Sequence, residues 1–354
     1  MIDLSIHELG LQIERITKNY DSVLFVASKG MLKRKILTNL GLKNIDSIQI
    51  WSDFSSNPDI IDLDSQLDQI QKLNLSRNSL IIAIGGGSTI DVSKALSIMI
   101  PNDKKIIEIL SMAQNAEELL TIDLLAIPTT AGSGSECTSF ATIWDRVNSI
   151  KRSFDLPQLR PKYALFCSSL LQTLPTNSLL YSALDARAHA IESLWSLNSN
   201  EQSENYARRS LEISLNKLGD ISKIQKDLSG LLESSKYAGQ AINISRTSVS
   251  HAISYPLTLQ LGIPHGLAAA LTLRNVWERF HNFYSFNKNL KKIVDEATLE
   301  LESLKLASYV SEFTTREQIM KVIPQIKLNS RFANFIVKID ESEIRDVIND
   351  SLGH

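Results

Sequence analysis

SLIIAIGGGSTIDVSKALSIMI (79–100) decides the fold reading. A run of β-branched and apolar residues ends in three glycines, Gly85 to Gly87, and a helical pattern follows. This is a strand, a tight turn and a helix. Glycine lets a backbone approach a phosphate closely, and the next helix N-terminus offers N–H groups and partial positive charge. Ser88 is placed to cap that helix and to donate to a phosphate oxygen. Three glycines exceed what a turn needs, so Gly86, Gly87 and Ser88 read as a phosphate cradle. The spacing matches neither the dinucleotide fingerprint of spaced glycines nor a Walker A loop.

Outward from this turn the first half alternates strands and helices. SVLFVAS (22–28) and SIQIWSDF (47–54) read as strands, and MLKRKILTNLG (31–41) as a helix between them. A loop with Asn57-Pro58 leads to a helix around 60–73, and LLAIPTT (124–130) is a fourth strand. Such alternation predicts a parallel sheet covered by helices. IPTTAGSGSECTSF (127–140) is a second strand running into a polar, glycine-containing loop. Two such loops belong at the C-terminal edge of one sheet, where α/β folds bind nucleotides.

The second half is helical. TNSLLYSALDARAHAIESLWS (176–196) follows Pro175, then SENYARRSLEISLNKLG (203–219) and a helix through SSKYAGQAINI (234–244). The pattern predicts an α/β domain over 1–169 and an all-α domain over 170–354. Asp185 and His189 stand at i and i+4, on one helix face that is otherwise apolar. In SVSHAISYPLTLQLGIPHGLAAALTL (248–273), His251 and His265 lie in an apolar run: His251 on a helix drawn as ending at Pro256, and His265 at the start of another helix after the break at Gly262-Ile263-Pro264. Each alone suits a core histidine. Together Asp185, His189, His251 and His265 offer one carboxylate and three imidazoles, which suits Fe²⁺ or Zn²⁺. Thr247, Ser254 and Tyr255 are drawn on the His251 face.

Bulk properties exclude other classes. The net charge of −2 argues against a nucleic-acid partner. No run of about eighteen apolar residues predicts a membrane span. The N-terminus has no signal-peptide pattern, and two cysteines make no disulfide framework, so the expected location is cytoplasmic.

These residues resemble the iron-containing (group III) alcohol dehydrogenases over roughly 22–275. GGGSTIDVSKA is similar to that family's GGGSxxDxxKA, and IPTTAGSGSECT to its IPTTAGTGSEVT. The order Asp185-x3-His189, His251, Pro264-His265-Gly266 looks like its metal motif. The resemblance implies an NAD(P)-binding α/β domain and a metal-binding helical domain, in the dehydroquinate synthase-like architecture. It implies cofactor contacts at Ser28, Gly86, Gly87, Ser88, Asp91, Thr129, Thr130, Thr138, Phe140 and Lys151. TSFATIWD (138–145), IESLWSLNSN (191–200) and AGQAINISRTSVSHAISYPLT (238–258) look like the phosphonoacetaldehyde reductase branch. That branch implies NADPH- or NADH-dependent reduction of a small phosphonate-bearing aldehyde, with a homodimer as the expected assembly. His251 and Tyr255 are then assigned to the chemistry, and Thr247, Ser254 and Arg246 to the substrate.

The chain departs from the family pattern at several points. Ser28 stands where an acid usually binds the adenosine ribose; serine removes its repulsion of a 2′-phosphate. Cys167-Ser168 replaces an Asp-Pro, and the usual strand pair before Ser22 is missing. Tyr255 stands where relatives often carry a second histidine. A general aldehyde or polyol dehydrogenase is the alternative reading. Ser88, Lys94 and Asp185 argue against a dehydroquinate synthase-like lyase, and four ligands against a non-catalytic nucleotide binder.

Overall fold

The computed structural model describes residues 1–41, 48–55, 58–112, 117–148, 150–284, 288–326 and 330–353. Ser47 and Asn57 of the predicted strand and loop lie outside them. Two compact units emerge. The first comprises Met1–Thr130 with Ser135–Gln172, and the second Ala131–Gly134 with Thr173–His354.

In the first unit α1 (Ile6–Thr17) carries a capping box between Ser5 and Glu8. There follow β1 (Ser22–Ala27), α2 (Lys29–Lys33), α3 (Ile36–Asn39), β2 (Ile48–Trp51), α4 (Ile60–Ser65), α5 (Leu67–Gln71), β3 (Ser79–Gly85), α6 (Gly87–Asn102), α7 (Ile106–Ser111) and β4 (Asp123–Pro128). β5 (Phe140–Asp145), β6 (Ile150–Asp155) and β7 (Tyr163–Ala164) complete the unit. The main sheet has the order β2-β1-β3-β4-β7, and every pairing is parallel. β3 is buried along its whole length, as its unbroken apolar run requires. α6 is buried nearly all round, so it is a core helix, not an amphipathic one.

Three details differ from the sequence expectation. The helix drawn over 31–41 breaks at Lys35, whose φ of 54° is left-handed. The helix drawn over 60–73 divides at Gln66. The antiparallel β5–β6 hairpin, paired from Phe140↔Asp155 to Asp145↔Ile150, was not foreseen. The apolar alternation of β5 was the available signal. At the N-terminus Asp3 bridges to Phe166. Its carboxylate accepts from the backbone N–H and hydroxyl of Ser168, so this serine anchors the start of the chain.

The second unit is α8 (Thr176–Leu194), α9 (Glu201–Ser214), α10 (Ile221–Lys226), α11 (Leu228–Ser245), α12 (Val249–Leu261), α13 (His265–Leu271), α14 (Leu273–Phe280), α15 (Lys288–Ser303), α16 (Leu306–Val310), α17 (Arg316–Val322), α18 (Ser330–Ala333) and α19 (Glu341–Ser351). α12 does not stop at Pro256 but runs through it to Leu261. Buried Ile253 and Leu257 on either side hold that turn in place against the loss of one backbone hydrogen bond. Gly262, with φ of 69°, ends the helix. Thr247 lies before α12, in the connection from α11, and not on the helix as drawn. Among the described residues no helix is long and apolar enough to cross a membrane.

The four-residue segment Ala131–Gly134 belongs with the helices for a steric reason. A Cβ on Gly132 would stand 2.7 Å from the Ser182 carbonyl oxygen of α8. One on Gly134 would stand 2.4 Å from Gly239 Cα of α11. The small residues of the second loop are therefore a packing requirement against helix backbones.

Candidate metal centre and nucleotide edge

In the first unit Gly85 pairs with Pro128, so the glycine turn and the 129–140 loop leave the same C-terminal sheet edge. The strand order reverses direction between β1 and β3, which is where open α/β sheets bind ligands. Ser28 follows β1, and Gly86 and Gly87 follow β3, so these residues flank that point. Gly86, not Ser88, is the N-cap of α6, and the helix begins at Gly87. A Cβ on Gly86 would stand 3.1 Å from Thr130, so glycine lets the two loops approach.

The polar residues of this edge divide into two groups. Ser28 caps α2, accepting from the Met31 N–H. Asp91 accepts from the Ser135 hydroxyl at 2.9 Å and the Thr142 N–H at 3.1 Å. Fully buried Lys94 donates to Thr138 Oγ1 at 2.9 Å and to the Phe140 carbonyl at 2.7 Å. Burial pulls its ammonium down to about 8. Asp91, Lys94, Thr138 and Phe140 thus tie α6 to the loop and hairpin. Thr129 is buried, and its N–H bonds the Gly85 carbonyl. Lys151 lies over the Trp144 ring at 5.0 Å.

In the second unit α8 presents Asp185 and His189 one turn apart, α12 presents His251, and α13 begins at His265. Asp185 Oδ1 is 3.7 Å from His189 Nε2, 3.4 Å from His251 Nε2 and 4.0 Å from His265 Nε2. One ligand atom each from Asp185, His189 and His251 falls within 4.8 Å of the others. His189 and His251 stack at 4.6 Å, and His251 meets His265 edge-on at 5.4 Å.

The far nitrogens are held by protein. His189 Nδ1 faces the Gly132 carbonyl at 3.3 Å, and His265 Nδ1 faces Ser254 Oγ at 3.4 Å. His251 Nδ1 meets Glu192 Oε2 at 2.5 Å. Each imidazole therefore turns Nε2 towards Asp185, with its outer nitrogen facing a polar partner, the arrangement typical of metal-binding histidines. Asp185 Oδ1 and His251 Nε2 are buried without a hydrogen-bond partner. Two orphaned polar atoms facing each other are costly unless something completes them. A divalent cation fits that oxygen-and-nitrogen donor set.

The charges agree with this picture. Burial alone would raise the Asp185 carboxyl, but His189, His251 and His265 hold it well below the usual range. Burial lowers His189 to about 4, so its imidazole is neutral and able to ligate. His251 is pushed up despite burial, chiefly by the Glu192 charge.

Glu192 is a residue the sequence reading missed. It is fully buried and accepts from the N–H groups of Ser248, Ser250 and His251. It stands three positions after His189 on α8, so helical periodicity was a signal for it.

The remaining expectations separate. Tyr255 stacks on His265 at 5.9 Å, beside the centre. Ser254 donates to the His251 carbonyl. Arg246 has φ of 64°, and its guanidinium donates to the Ile242 and Asn243 carbonyls of its own helix. Arg187 points away, into Glu300, Ala297 and Ser214, as a buried structural arginine.

Two family models match this chain. "Iron-containing alcohol dehydrogenase" matches residues 5–167, and "Fe-containing alcohol dehydrogenase family, C-terminal" matches 179–348. The chain is an iron-containing alcohol dehydrogenase family member. A family relative, phosphonoacetaldehyde reductase of Streptomyces viridochromogenes, is 31% identical over 66% of this chain and 60% of its own length. The probable alcohol dehydrogenase EutG of Escherichia coli is 29% identical over 72% of this chain and 65% of its own length. The matches thus span less than two thirds of these relatives. Sulfoacetaldehyde reductase from Bifidobacterium kashiwanohense, solved with NAD+, shares the fold at a TM-score of 0.82 and 23% identity, covering 97% of this chain and 95% of that one.

Proposed function

We propose that this family member reduces a small aldehyde to an alcohol with NAD(P)H and a divalent metal, and that the aldehyde is phosphonoacetaldehyde. The observation that carries the reading is the convergence of three histidine Nε2 atoms on one Asp185 oxygen. The phosphonate is supported by the relative named for it. When bound, NAD(P)H supplies a hydride and Fe²⁺ or Zn²⁺ supplies Lewis acidity to a carbonyl.

The chain's own residues do the rest. Gly86, Gly87 and the α6 N-terminus bind the diphosphate. Thr129 and Thr130 follow β4 at the same strand edge, Lys151 is assigned to the cofactor from the hairpin, and Asp91, Thr138 and Phe140 hold the loop in shape. Asp185, His189, His251 and His265 hold the cation, and Glu192 fixes the His251 ring. Burial keeps the Tyr255 phenol protonated by raising its pKa. A neutral phenol beside the centre can deliver the proton that alcohol formation requires.

Steady-state kinetics with phosphonoacetaldehyde and propanal test the substrate. The expected result is a kcat/KM at least about tenfold higher for the phosphonate, since hydrogen bonds to charged groups are worth that much or more. Equal efficiencies would return the protein to the general aldehyde dehydrogenase reading.

Ser28 bears on the cofactor. An acid there repels a 2′-phosphate. Ser28→Asp is expected to lower NADPH efficiency relative to NADH by about tenfold, corresponding to ~1.4 kcal/mol. An unchanged NADPH/NADH ratio would remove Ser28 from the cofactor site.

A further inference from the structure

The phosphonate reading leaves a chemical gap: an anionic substrate group needs a cation, and neither Arg246, assigned to the substrate from the sequence, nor Arg187 beside the ligands points to the centre. Arg246 is turned onto the carbonyls of α11, and Arg187 is buried against Glu300. A third arginine stands beside the centre. Arg331 of α18 donates from Nη1 to Thr247 Oγ1 at 2.5 Å. Its guanidinium carbon lies 5.6 Å from the Tyr255 ring centroid. His265 is also a neighbour of that ring, stacked at 21° and 5.9 Å. A cation, a phenol and a ligand imidazole therefore follow one another in direct contact.

This placement is built. Asn334, one turn after Arg331, donates to the carbonyls of Ser245 at 2.8 Å and Thr247 at 3.1 Å. Its Oδ1 accepts from Ser196 Oγ at 2.9 Å and from Asn198 Nδ2 at 2.8 Å. Ser196 also bridges to Phe335, and Trp195 at the end of α8 packs edge-on against the Phe335 ring. Residues 331–335 are thus clamped to the α11–α12 connection and to the end of α8. The clamp holds the guanidinium where an isolated surface arginine would wander.

We propose that Arg331, with Thr247 and Tyr255, is the specificity element that takes a tetrahedral oxyanion carried by the aldehyde; this rests on the aldehyde-reductase reading above. The guanidinium is planar, always charged and presents paired N–H donors that match phosphonate or sulfonate oxygens two at a time. The aromatic face beside it further orients the plane. The Thr247 and Tyr255 hydroxyls add donors at the same place. The ligand imidazole of His265, stacked on the same Tyr255 ring, puts the anion donors beside the metal centre.

The test compares wild type, Arg331→Gln and Arg331→Lys as metal-loaded proteins. The kcat/KM ratio for phosphonoacetaldehyde over propanal should fall about 10- to 100-fold in R331Q, mainly through KM, with partial recovery in R331K, which keeps charge but not the fork. A ratio unchanged in R331Q would overturn the proposal, because a merely structural role lowers both efficiencies together. Calorimetric titration with ethylphosphonate, ethanesulfonate and propionate, none of them reducible aldehydes, reads binding apart from turnover. Wild type should bind the two tetrahedral anions more tightly than propionate, and R331Q should lose that difference. If R331Q does not fold, the same loss of fork-dependent binding is read in R331K. Should wild type lack aldehyde reduction, this titration still decides: ethylphosphonate binding lost in R331Q upholds the anion site while the activity reading fails. Equal titration of wild type and variants overturns the anion site whatever the activity.

Discussion

His251→Ala should leave a protein that retains almost no metal and turns over about a thousandfold more slowly. His251 sits at the middle of the centre. It stacks on His189, meets His265 edge-on and turns a partnerless Nε2 towards Asp185. Removing it deletes one donor and frees the orientation of two others. It also strands Glu192, whose buried carboxylate loses the His251 ring and is left with backbone N–H donors and the Ser248 hydroxyl among the described residues. Lewis-acid stabilisation worth several kcal/mol, ~4, corresponds to about a thousandfold in rate. Metal content by elemental analysis and turnover with a neutral aldehyde check the expectation. Binding of NADH by fluorescence separates a lost centre from a lost fold, because the glycine turn lies in the other compact unit. Stoichiometric metal in H251A, with more than a tenth of the turnover, would sink the assignment.

The features legible in the sequence are those imposed by local conformation. The glycine turn is visible because a helix N-terminus set close to a neighbouring loop leaves little room for a side chain at Gly86. Asp185 and His189 are visible because helical periodicity puts them on one face. What escaped depends on contacts that no local pattern announces. Arg331 meets Thr247 across 84 positions of chain, and its short helix Ser330–Ala333 has no strong periodicity. Helix ends were misplaced where backbone conformation overrode composition, as at left-handed Lys35 and at Pro256 inside α12. Ala131–Gly134 looked like part of a nucleotide loop, yet its glycines are demanded by α8 and α11. Glu192 lies between: its spacing was readable, but its role depends on three amides of a segment 56–59 positions away.

Gly266→Ala should damage the centre without replacing a ligand. A Cβ at Gly266 would lie 1.9 Å from the Tyr181 carbonyl oxygen and 2.9 Å from Asp185 Cβ. No rotamer relieves an overlap between Cβ and backbone, so α13 must move away from α8. His265 is the preceding residue and the first of α13, and it moves with the helix. Asp185 is pushed from its other side. Overpacking of a buried contact costs roughly 3 kcal/mol at the upper end of the usual range. A ligand displaced through its support weakens metal affinity by about 10- to 100-fold, by analogy with loss of a supporting partner. The expected outcome is a lower melting temperature in the apoprotein and a right-shifted metal titration followed by the thermal shift on adding Zn²⁺. The two readouts divide the explanations. A fall in stability with unchanged metal affinity would mean that α13 relaxes while His265 keeps its place, and His265 would then owe its position to Ser254 and Tyr255. A fall in both is what contact between α13 and α8 requires, because the same displacement opens the packed interface and parts Asp185 from His265.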